Sequence, residues 1–75
     1  MSETLAGTTG TATVQSVDAD PAVRRRLAEM GIRPGASVRV LYRTTGGGRV
    51  VSVGGARVAL DRELAAAVTL DAPDG

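Results

Sequence analysis

A helix start, a helix stop and a tight turn are written into one stretch, Asp20 to Gly35. Any fold open to this chain must place a short helix there and reverse the chain directly after it. Asp20 suits an N-cap, and Pro21 suits the first helical position, where its missing N–H costs nothing. Val23, Leu27 and Met30 recur at i, i+4 and i+7, one narrow apolar stripe on a helix of about ten residues. Arg24, Arg25 and Glu29 fall largely off that stripe. Gly31 is placed to take the left-handed conformation that closes the last turn. Ile32 then returns to the core. Arg33-Pro34-Gly35-Ala36 reads as a type II turn, with Pro at the second position and Gly supplying the positive φ of the third.

Most of the remaining chain reads as short strands between turns. Leu5 is the first residue expected to touch the core, and Gly7 and Gly10 bracket a turn. From Thr11 to Val17 the residues alternate, with Ala12, Val14 and Ser16 on one face and Thr13, Gln15 and Val17 on the other. A second strand, Ser37 to Arg43, turns Val38, Val40 and Tyr42 one way and Arg39, Leu41 and Arg43 the other. Gly46-Gly47-Gly48 reads as a flexible tip with no side chains to order it. Arg49 to Val53 and Ala56 to Leu60 form two further strands, joined at Gly54-Gly55 by a tight two-residue turn. Asp61 caps one short helical turn through Leu64 and Ala65, with Leu60 as a weak staple. Val68 to Leu70 closes the series. The expected fold class is mainly β: a small, strongly bent antiparallel barrel of about five strands, with one helix between the first two. Closure also leaves few exposed edges in a Val-rich sheet.

At 75 residues the chain is long enough for one domain, 1–75, with its core over about 5–70 and residues 1–4 and 71–75 as loose tails. There is one Tyr and no Phe or Trp, so the core must come from Val, Leu, Ile and Ala, and folding should be marginal. No basic stretch followed by an apolar run opens the chain, and no apolar run approaches the roughly 20 residues of a membrane span. A cytoplasmic protein with no direct membrane insertion is expected.

The absence of Cys and His removes a disulfide scaffold, thiolate metal sites, the commonest metal ligand and the usual general base. Asp18 with Asp20, or Asp61 with Glu63, could hold a hard cation, but two carboxylates seldom suffice. The Gly46–Gly48 run lacks the spacing and the following helix of a phosphate loop. Neither catalytic residues nor a metal site nor a cofactor is expected.

Contact with another macromolecule is the remaining class. A net charge of +1 gives no general reason for nucleic-acid binding, and no aromatic platform exists for bases. Arg24, Arg25 and Arg26 point in three directions around a helix; they read as solvated, snorkelling side chains or as a partner contact. Leu41, between Arg39 and Arg43, either packs under a loop or forms the apolar centre of an arginine-rimmed docking surface. The candidate partner-binding residues are Arg25, Arg26, Met30, Arg33, Arg39, Leu41 and Arg43. Asp20, Pro21, Leu27, Gly31, Pro34 and Gly35 are read as structural.

The run from Arg25 to Gly35 and the strand that follows, Ala36 to Val40, resemble the FeoA family of small cytoplasmic ferrous-iron transport accessory proteins. The resemblance extends over about residues 5 to 70, with Val53 to Leu60 similar to the family's second hairpin. It implies an SH3-like barrel and a protein partner, the cytoplasmic GTP-binding domain of the ferrous-iron transporter. The same module resembles the C-terminal domain of metal-dependent repressors, so a regulatory interaction module is the alternative. Weak transition-metal binding is a second alternative, although thioethers at Met1 and Met30 are the only soft ligands present. The oligomeric state is left open.

Overall fold

Alternation along the Val-rich segments builds one antiparallel sheet. The computed structural model describes residues 3–7 and 10–71. Along them run β1 (Glu3–Thr4), β2 (Gly10–Val17), α1 (Pro21–Glu29), β3 (Ser37–Arg43), β4 (Arg49–Val53), β5 (Ala56–Leu60), α2 (Arg62–Ala67) and β6 (Val68–Leu70). The described residues form a six-stranded sheet ordered β1-β6-β2-β3-β4-β5. The mainly-β fold with a helix between the first two long strands is therefore present. The strand beyond the expected five is β1. Glu3 and Thr4, expected in a loose start, pair with Leu70 and Thr69. Residues 1–2 and 72–75 of the expected tails lie outside the described residues.

The core gathers Leu5, Val14, Leu27, Ile32, Val38, Val51, Val58, Leu60, Ala65, Val68 and Leu70, so that every element except β1 contributes to it. Two irregularities shift side chains away from simple alternation. Val14 pairs with Leu70 and Ser16 with the adjacent Thr69, so Gln15 is an inserted residue in β2. Past this bulge the inward phase changes, and Val17, expected to face out, is buried. In β3, Val40 pairs with Val51 and Tyr42 with the adjacent Val50, so Leu41 is inserted in turn. Tyr42, expected to point with Val38 and Val40, is thrown outward and is 54% exposed.

At the end of α1, the amide of Ile32 donates to the Leu27 carbonyl (2.8 Å) and that of Gly31 to Ala28 (2.9 Å). With Gly31 at φ +95°, this is a complete Schellman closure. The Arg33–Ala36 turn forms as expected, with Gly35 at φ +90° and the Ala36 amide on the Arg33 carbonyl at 3.0 Å. Asp20 occupies the N-cap of α1, but its side chain makes no capping bond there. Asp20, Pro21 and Ala22 are all exposed, so solvent can serve the first-turn amides in place of the carboxylate. Asp61 does cap α2, accepting from the Leu64 amide at 2.8 Å.

Gly46–Gly48 is not the loose tip expected from its composition. The Thr44 amide donates to Gly48 (3.0 Å) and that of Gly47 to Thr44 (3.3 Å). A Cβ on Gly48 would meet the Thr44 hydroxyl and lie 2.7 Å from the Leu60 carbonyl oxygen. The absence of a side chain here permits close approach, which orders the loop.

Candidate functional site

Among the described residues Arg49 is the one buried charged side chain, 6% exposed. Its guanidinium donates to the carbonyls of Gly47 and Gly48, both at 2.9 Å, and to that of Ala6. All three contacts are to main-chain oxygens, so its role is architectural. Sequence reasoning gave it no functional role. One signal was present: Arg49 continues the inward series Val53, Val51, where an apolar residue would be the ordinary choice.

The sequence-derived candidates divide between two surfaces. On α1, Arg26 and Met30 line a shallow groove with Val23, Leu27 and Leu64. Leu27 is buried, Val23 is half-buried and Met30 is 42% exposed, so the helical stripe is only partly covered. Arg25 is exposed on the same helix. Arg33, in the turn after it, lines a groove with Pro34 and Ala36 on one side and another with Ser16 and Asp18 on the other.

The second surface is the outward face of β3–β4–β5. Thr11, Arg39, Ser52 and Arg57 lie in one register row across β2 to β5. Residues opposite one another in a ladder share a face, so Arg39 and Arg57 flank Ser52 on the side away from the core. The next row on that face is Tyr42, Val50, Ala59. Val50 is buried yet stands outside the main hydrophobic core, consistent with its place under this outer row. Leu41 is 36% exposed beside it. The bulge separates Arg43 from Arg39 and Leu41. Arg43 instead falls in register with Arg49 and, through it, Leu60. Arg57 and Tyr42, which alternation alone did not group with Arg39, take its place.

No group of three or more His, Cys, Asp or Glu that could hold a metal ion occurs among the described residues. Asp61 is engaged at its cap, and Asp18 accepts from the Thr69 hydroxyl at 3.3 Å. No described helix is long and apolar enough to cross a membrane.

The FeoA domain model matches residues 4–72, almost the whole chain. The chain belongs to the FeoA family. Its fold matches the FeoA protein of Chlorobium tepidum with a TM-score of 0.86 at 33% identity, covering 97% of this chain and 72% of that one. It also matches the zinc-complexed FeoA of Stenotrophomonas maltophilia, described as a prokaryotic SH3 domain protein, with a TM-score of 0.75 at 36% identity over 92% of this chain and 89% of that one. A manganese-dependent transcriptional repressor in complex with manganese is 32% identical with a TM-score of 0.82, but the match covers 93% of this chain and only 36% of the repressor. None of the curated proteins compared matches the sequence significantly. The FeoA chain described here is thus SH3-like, in a family of ferrous-iron transport accessory proteins.

Proposed function

We propose that this FeoA-family chain is a non-enzymatic cytoplasmic accessory of ferrous-iron uptake that docks on the GTP-binding domain of the ferrous-iron transporter. The observation that carries this reading is the family match over residues 4–72. It is supported by similarity to the S. maltophilia protein, for which the role of a ferrous iron transport activating factor has been suggested. Exposed arginines and aliphatics on two surfaces, Arg25, Arg26, Met30 and Arg33 on one and Arg39, Leu41 and Arg43 around the other, are the groups available for contact. Deletion of the gene should lower ferrous-iron uptake under iron limitation, and unchanged uptake would refute the reading. The purified chain should co-elute with the transporter's GTP-binding domain, with or without GTP.

A second reading is favoured by the repressor similarity: a module that regulates a metal-dependent repressor or another protein. Affinity purification that recovers such a repressor and never the transporter would select it.

A further inference from the structure

We infer that the outward face of β3–β4–β5 is a docking face for an acidic segment of a protein partner that carries aliphatic side chains between its carboxylates. Residues 37–60 contain Arg39, Arg43, Arg49 and Arg57 and not one Asp or Glu. The chain as a whole has nine cationic and eight acidic residues, so the remaining five arginines share the other segments with all eight acids. The charge of this domain is therefore strongly polarised although its net value is only +1. Arg49 is spent inside, which leaves Arg39, Arg43 and Arg57 exposed.

Register then arranges these charges. Arg39 and Arg57 stand two strands apart on either side of Ser52, about 10 Å between backbones at ordinary strand spacing. The adjoining row presents Tyr42 over Val50, with Leu41 pushed out by the bulge. An apolar centre with a guanidinium rim has the composition of a protein interface, in which Tyr and Arg are enriched. Guanidinium forks match carboxylates in bidentate geometry, and the acid-free surroundings supply no internal competitor on these strands. Leu41 and Tyr42 require aliphatic groups between those carboxylates. A single exposed Tyr offers no run of stacking platforms for nucleic-acid bases.

This inference rests on the reading that the chain works by docking on a protein, and the test separates the two. The 15N-labelled chain is titrated at low salt with a synthetic peptide alternating glutamate and leucine, and separately with the transporter's GTP-binding domain. Saturable shifts should concentrate on the amides of Arg39, Leu41, Tyr42, Ser52 and Arg57 and weaken as salt rises. The variant R39E/R57E should lose about tenfold or more in affinity for both probes, and R39Q/R57Q should lose less. R24E/R62E, with the same change in net charge placed on α1 and α2, should bind like the parent. Unchanged spectral dispersion in the variants shows that folding is retained. If the GTP-binding domain binds and R39E/R57E binds it equally well, the face is overturned while the proposed function stands. If the peptide binds this face but the domain does not bind at all, the transporter reading fails and the face stands. Shifts centred on α1, no shift with either probe, or displacement of the peptide by a DNA duplex would overturn the inference.

Discussion

The guanidinium of Arg49 on β4 donates to the carbonyl oxygen of Ala6, 43 residues earlier in the chain, while also holding the carbonyls of Gly47 and Gly48. This one side chain ties the segment after β1 to the β3–β4 loop. Gly48 in turn sits against the end of β5 at Leu60. The two outer strands of the ladder, β1 and β5, are not paired with each other among the described residues. Arg49 spans that open side, assisted by α2, which contacts both strands.

Removing this bridge leaves three carbonyls without their charged donor. Hydrogen bonds to charged groups contribute about 1.5–3 kcal/mol each, and a buried acceptor left unmet adds a desolvation cost. Arg49→Met should therefore lower stability by about 3 kcal/mol or more in urea denaturation. Arg49→Lys should recover only part of the loss, because an ammonium cannot reproduce the planar fork. A parental midpoint for Arg49→Met would show that the bridge is dispensable.

Gly31 and Gly35 provide a matched pair. Both have positive φ, at +95° and +90°, but a Cβ on Gly31 would lie 2.9 Å from Val53 Cγ1, whereas one on Gly35 meets nothing within 4 Å. Gly35→Ala should cost about 1–2 kcal/mol, the left-handed backbone penalty alone. Gly31→Ala should cost about 1–3 kcal/mol more from overpacking against β4. Equal losses of stability would show that Val53 yields freely.

Leu27 is 1% exposed and links α1 to the sheet. Leu27→Ala should cost about 2–5 kcal/mol. That rivals the stability of a whole small domain, about 0.05–0.15 kcal/mol per residue. Loss of a cooperative thermal transition is the expected readout.

Leu41 tests the outer face from its apolar side. Because it is exposed and inserted at a bulge, Leu41→Gln should shift folding stability by no more than about 0.5–1 kcal/mol. The same change should weaken binding of the GTP-binding domain. A large drop in Tm would place Leu41 among the residues that hold the fold together.

Local chemistry was legible where one or a few neighbouring residues decide it. Pro21 and Gly31 bound α1, and the Arg33–Ala36 turn and the Gly54-Gly55 hairpin formed where their residue types require. Strands β3, β4, β5 and β6 have the limits their alternation suggested. The candidate surface was half legible. Alternation placed Arg39, Leu41 and Arg43 together, but the bulge at Leu41 puts Arg43 in register with Arg49, while strand pairing alone brings Arg57 into the row of Arg39 and Tyr42 into the next.

Periodicity and turn chemistry act over a few residues, so the order of amino acids alone determined the elements apart from β1, the aliphatic core and the acid-free stretch of arginines. Only the tertiary structure decided which arginines share a face, because strand register and bulges depend on pairing partners distant in sequence. It likewise decided that Arg49 lies inside and that Gly48 is a close-approach residue in an ordered loop. Burial and main-chain contact at those two positions are set by Ala6 and Leu60, brought there by the fold.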